Sequence, residues 1–159
     1  MRRTSSGRWL HVPSFSEIVR ALNRGRVRYV LVGGYASVVH GVPRTTVDID
    51  IAVDPDPANV RRTVRALRRS GLEPETDRAD EILGQGGVTA MNDRTVDVLT
   101  SLRGAKFADV WSRKIVVVFE GVRVFVVARR DQIRLLYATG RPQDLEDAAV
   151  LASKERMGR

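Results

Sequence analysis

At 159 residues, with 43% apolar and 29% charged side chains, the chain has an ordinary globular balance and enough length for one domain with a sizeable core. It contains no cysteine, which excludes a disulfide framework or a thiolate metal site and suits a reducing cytoplasm. The formal charge of +8 concentrates polyanions near the surface, whether nucleotides, tRNA or an acidic protein partner, and does not choose among them.

Arg2, Arg3 and Arg8 precede Trp9-Leu10-His11-Val12-Pro13, a segment without the apolar centre of a signal peptide, so nothing here directs export. Ser14-Phe15-Ser16-Glu17 forms a capping box and predicts a helix to about Arg24, with Ile18, Ala21 and Leu22 toward the core. Arg28 to Val32 reads as a strand ended by Gly33-Gly34, after which a helix runs from about Tyr35 to His40. The apolar stretch from Tyr29 to Val42 is broken by Gly33, Gly34, His40 and Gly41. It falls short of the roughly 18 apolar residues of a membrane span. Thr46 to Val53 alternates as a half-buried strand does, and Pro57 opens a helix to Ser70 that Gly71 ends. Val60, Val64 and Leu67 form the apolar stripe of that helix; Arg61, Arg62, Arg65, Arg68 and Arg69 read as a solvated face ahead of a nucleic-acid track.

Glu73 to Gly87 lacks periodicity and reads as a loop. Val88 to Met91 and Thr95 to Leu99 read as a hairpin turning at Asn92-Asp93; Ile115 to Phe119 and Val122 to Val127 make a second, turning at Glu120-Gly121. Two helices close the chain, about Arg130 to Thr139 and Pro142 to Lys154, giving a C-terminal helical segment of about 129–155. The expected architecture is α+β, a mixed β-sheet flanked by helices in one domain spanning 1–159.

Chemistry concentrates in Val47-Asp48-Ile49-Asp50-Ile51. Alternation along a strand sends Val47, Ile49, Ile51 and Val53 inward and Thr46, Asp48 and Asp50 to the other face. Two carboxylates about 7 Å apart along that face repel each other unless a hard cation such as Mg²⁺ neutralises them. Taken alone, the pair reads first as an exposed polar face of an edge strand. Gly33-Gly34, at a strand-to-helix turn thirteen residues before Asp48, leaves backbone amides open to a phosphate. Asp97, between Val96 and Val98, adds a third acid if its strand lies beside the first, and three such acids suit two cations.

Tyr29-Val30-Leu31-Val32-Gly33-Gly34-Tyr35-Ala36, then His40-Gly41, then Arg44-Thr45-Thr46-Val47-Asp48-Ile49-Asp50-Ile51 resembles the signature of polymerase-beta-type nucleotidyltransferases. The likeness is to small bacterial members allied to toxin–antitoxin nucleotidyltransferase toxins, and it extends more weakly to the segment from Gly140 to Asp147. The resemblance implies that Asp48, Asp50 and Asp97 bind two Mg²⁺ ions, with Mn²⁺ as the substitute, and that Asp97 acts as general base. It implies that Gly33 and Gly34 hold the triphosphate of a nucleoside triphosphate such as ATP, and that Arg44 and Thr46 contact phosphate or position Asp48. The implied product is a nucleoside monophosphate on a tRNA or protein hydroxyl, made by a toxin with a cognate antitoxin.

The alternative is a degenerate module that binds nucleotide or a partner without turnover. Its support is Leu136, which stands with Tyr137 where relatives often carry a lysine. An antibiotic nucleotidyltransferase is a third reading, against which stands the expectation that such enzymes need additional chain for the acceptor pocket. His40 reads as a structural histidine ahead of a catalytic one, and Arg141 equally as a partner of Asp144 or as a phosphate contact.

Overall fold

The computed structural model describes residues 2–3 and 9–158, with side chains from His11 onward; residues 4–8, including the Arg8 considered above, lie outside it. Strands β1 (Arg2–Arg3) and β2 (Trp9–Leu10) pair with each other. Helix α1 (Phe15–Arg24) follows, its first turn closed by the Ser14 hydroxyl, which accepts from the Glu17 amide at 3.2 Å and donates to the Glu17 carboxylate. The capping box therefore forms as its sequence dictates. Strand β3 (Tyr29–Val32) is fully buried and passes directly into α2 (Gly33–Val39).

Strand β4 (Ile49–Val53) starts later than alternation predicts. Val32 pairs with Asp50 in the last rung of the antiparallel β3–β4 ladder, because β3 turns away at Gly33, whose φ is +66°. Residues 46–48 consequently have no β3 rungs. Val47, expected in the core, is 67% exposed, and Asp48 stands at the entrance to the strand instead of within it.

Helix α3 (Pro57–Arg69) is capped by Asp56, which accepts from the Asn59 amide, and it ends before Gly71, whose φ is +100°. Its apolar stripe joins that of α1 in the core, whereas Arg61, Arg65, Arg68 and Arg69 are exposed. The expected loop from Glu73 to Gly87 instead holds β5 (Glu73–Pro74) and α4 (Ala79–Gln85). Asp80 and Glu81 favour the first turn of α4, Ile82 is buried, and Gly86 ends it in the left-handed region at φ +83°.

The hairpin of β6 (Gly87–Met91) and β7 (Thr95–Leu99) follows, then α5 (Phe107–Arg113), which sequence pattern does not reveal. Strands β8 (Ile115–Phe119) and β9 (Val122–Val126) turn through Glu120 and Gly121, at φ +50° and +77°. The C-terminal hairpin comprises α6 (Arg129–Thr139) and α7 (Pro142–Arg156), separated by Gly140 at φ +67°.

Seven strands form one mixed sheet in the order β5-β6-β7-β4-β3-β9-β8. The register puts Tyr29, Leu31, Ile49, Ile51, Val53, Val96 and Val98 on one face, all buried in the main hydrophobic cluster. The other face carries Asp50 and Asp97. The fold is thus α+β, as expected, and no helix among the described residues is long and apolar enough to cross a membrane.

Candidate active site

The parallel pairing of β4 with β7 puts Asp50 in direct register with Asp97. Adjacent strands lie about 4.8 Å apart, so two carboxyl groups in register on one face are neighbours. The strand adjacency that the sequence set as the condition for a third acid is therefore met for Asp50 and Asp97, while Asp48 stands exposed ahead of the strand. Asp97 is half-buried, and its Oδ1 accepts from the Thr89 hydroxyl at 2.7 Å, Thr89 being its rung partner on β6.

Burial raises the Asp50 carboxyl to about 7, and the negative charges of Asp97 and then Asp48 push in the same direction. Arg141 opposes the shift and Asp144 adds to it, which brings the start of α7 into the electrostatic surroundings of Asp50. Arg141 lies 3.5 Å from Asp144, but its side chain is 77% exposed, so the ion pair leaves it accessible.

The glycine pair is required by what packs against it. A methyl group at Gly33 would collide with the Asp50 carboxylate, and the +66° φ already disfavours any other residue. A methyl at Gly34 would lie 2.7 Å from the Thr46 Oγ1 and 2.9 Å from an Arg44 guanidinium nitrogen. Gly33, Gly34, Asp50, Thr46 and Arg44 therefore occupy one small region. Asp48 is exposed at its edge.

Arg44 has a partner that its neighbours in sequence do not suggest. Its Nε and Nη2 both reach the carboxylate of Asp147 on α7, at 2.9 to 3.2 Å, and Asp147 is 1% exposed. The pair ties the segment before β4 to the C-terminal hairpin. Gln132 on α6 is a second residue the sequence left unnoticed. It is wholly buried and donates to the Gly33 carbonyl at 2.8 Å, pinning the turn, while its Oε1 has no hydrogen-bond partner. Pairings across about a hundred residues leave no local signature, although Asp147 falls in the Gly140 to Asp147 segment that carried part of the resemblance.

Leu136 is 3% exposed and packs with Val42, Ala148 and Leu151 in a small cluster between α6 and α7. Its position is one of helix packing, not of the acidic face. His40 is likewise structural: its Nε2 donates to the Val127 carbonyl at 2.7 Å, and burial holds the imidazole below its usual range, hence neutral. Among the described residues, no three acidic or histidine side chains are gathered closely enough to form a ready-made ion cage.

A family model described as a nucleotidyltransferase of unknown function (DUF6036) matches residues 14–153. No curated protein matches the chain in sequence. Among solved structures, the lincosamide antibiotic adenylyltransferase LnuA with lincomycin bound superposes with a TM-score of 0.60 at 17% identity, over 90% of this chain and 99% of that one. ANT(2″)-Ia in complex with adenylyl-2″-tobramycin gives 0.59 at 14% identity, over 87% and 85%. A Thermotoga maritima protein whose nucleotidyltransferase assignment is itself inferred gives 0.58 at 17%, over 87% and 89%. At these identities the likeness is one of fold. The lincosamide enzyme is an exception to the expectation that small-molecule nucleotidyltransferases usually need additional chain, because nearly its whole length superposes.

Proposed function

This chain belongs to the DUF6036 family of nucleotidyltransferases, and we propose that its catalytic groups are Asp48, Asp50 and Asp97, which transfer a nucleoside monophosphate from a nucleoside triphosphate to an acceptor hydroxyl. The observation that carries the reading is the direct register of Asp50 with Asp97 beside the glycine pair. A carboxyl raised to about 7 by burial and two acidic neighbours marks a site short of positive charge. Its all-oxygen donors fit Mg²⁺, with Mn²⁺ as the substitute.

Asp48, Asp50 and Asp97 would hold two such ions and share them with triphosphate oxygens, as Mg²⁺ commonly requires. When bound, the ions would polarise the transferred phosphoryl group and lower the pKa of the attacking hydroxyl. Gly33 and Gly34 let the triphosphate approach the backbone, and the Thr46 hydroxyl beside Gly34 donates to it. Arg44, fixed by Asp147, faces the same region, and exposed Arg141 supplies a second guanidinium. Asp97, oriented by the Thr89 hydroxyl, takes the acceptor's proton. The chemistry is positioning and charge neutralisation, with pyrophosphate leaving and no covalent intermediate.

The net charge and the sequence resemblance support a tRNA or protein acceptor, with a toxin restrained by its antitoxin as the setting. A small-molecule hydroxyl is the second reading, favoured by the near-complete superposition of the lincosamide enzyme on a chain of this size. A non-catalytic nucleotide- or partner-binding module is the remaining alternative; Leu136 is packed between helices, and Tyr137 beside it is exposed. Incubation with each labelled nucleoside triphosphate, Mg²⁺ and a cell lysate tests the proposal. Label should enter one acceptor fraction with wild type and not with Asp48→Ala; equal labelling by both refutes it.

A further inference from the structure

Six arginines line two cavities beside the end of one helix. α1 finishes at Arg24, and the chain passes through Gly25 and Arg26, the latter at φ +54°, before β3 begins. On one side of this helix end is a cavity of about 460 Å³ whose walls include Arg20, Arg24 and Arg69. Another, of about 450 Å³, has walls that include Arg26, Arg28 and Arg123. Few acids offset them. Glu17 in the first cavity is held by His11 at 2.6 Å, and Asp54 lies 3.2 Å from Arg28. Among the described residues, no ion pair ties down Arg20, Arg24, Arg26, Arg69 or Arg123.

A solvated helix face accounts for Arg61 and Arg65, which stand exposed along α3. It does not account for Arg20, Arg24 and Arg69 lining one cavity, or for Arg26 and Arg123 lining another beside the Asp54-paired Arg28, where unpaired like charges repel unless an anion enters. Trp111 reinforces the second site. Arg28 and Lys114 lie 5.0 and 3.7 Å from its ring centre, so the indole holds two cations in place.

We propose that these two cavities bind the phosphate backbone of an RNA, and that RNA is the acceptor of the nucleotidyl transfer. The acceptor half of the statement rests on the function proposed above. Guanidinium forks match phosphate oxygens two at a time, and two neighbouring arginine cavities suit a ligand whose charges repeat along a chain. From Arg28 at the start of β3 to Gly33 beyond its end is about 16 Å at the strand rise. A folded RNA bridges that span between docking site and carboxylates; a single antibiotic-sized acceptor does not.

The test is fluorescence anisotropy with labelled tRNA and, separately, a labelled polyglutamate peptide, at about 50 and about 200 mM salt. With four or more phosphates neutralised, tRNA affinity should fall by roughly a hundredfold across that range. Arg26→Glu/Arg123→Glu and Arg20→Glu/Arg24→Glu should each weaken tRNA binding at least tenfold and flatten the salt dependence, while nucleoside triphosphate binding stays unchanged. Glutamine at the same positions, with folding checked by circular dichroism, should give the same trend at smaller size. Unchanged tRNA affinity in both pairs, no tRNA binding by wild type, or equally tight polyglutamate binding would overturn the proposal. Asp50→Asn separates the two claims: it should bind tRNA normally and transfer nothing. If it still transfers, the catalytic assignment fails while the docking result stands on its own.

Discussion

Asp50→Asn should make the metal-free protein more stable at pH 8. The folded-state carboxyl sits at about 7 against an ordinary 3.8, because burial and then the charges of Asp97 and Asp48 oppose its ionisation. A folded pKa above the unfolded one gives stability that is fully present below about 3.8 and is lost as pH rises to about 7. Roughly three pK units at 1.36 kcal/mol each make the loss about 4 kcal/mol, an upper figure because Asp50 is only partly buried. Asparagine keeps the shape and never ionises. Urea denaturation in EDTA should therefore find the variant more stable than wild type by a few kcal/mol at pH 8 and nearly equal to it near pH 4. Added Mg²⁺ should raise the wild-type midpoint at pH 8 and leave the variant's almost unchanged. A variant no more stable than wild type in EDTA at pH 8, or a Mg²⁺ effect of equal size on both, would refute the reasoning.

Gly33→Ala introduces a methyl that meets the Asp50 carboxylate at a backbone angle of +66°, so it should abolish nucleotidyl transfer and cost about 1–2 kcal/mol in thermal unfolding. Asp147→Ala strands Arg44 beside a nearly buried position and should cost about 3 kcal/mol by chemical denaturation; Arg44→Met/Asp147→Leu should recover most of that loss. His40, held neutral by burial, has a depressed folded pKa. Its contribution is present above about 6.5 and is lost as pH falls, so melting points of wild type should drop on acidification more steeply than those of His40→Gln.

What could be read from the sequence was what had a local physical cause. The Ser14–Glu17 box, the proline and glycine boundaries of α3, and the glycine turn before Asp48 all lie within a few residues of their effects. Asp97 was conditional on strand order, and the β4–β7 register supplied the condition. Helices α4 and α5, each seven residues, are too short for a 3.6-residue period to stand out, and the glycines and acids around α4 look like loop. Val47 failed because a strand ends where its partner leaves, here at Gly33, and alternation carries no trace of that. Arg44 with Asp147 and Gln132 with Gly33 are pairings across 103 and 99 residues that only the packing of the C-terminal hairpin creates.

The catalytic assignment to Asp50 and Asp97 is tested most directly by release of pyrophosphate from nucleoside triphosphate in the presence of Mg²⁺ and an RNA acceptor, comparing wild type with Asp50→Asn and Asp97→Asn. Release by wild type, with a loss of at least a hundredfold in each variant while circular dichroism stays native, is the predicted result. Release by either variant at the wild-type rate would contradict the account.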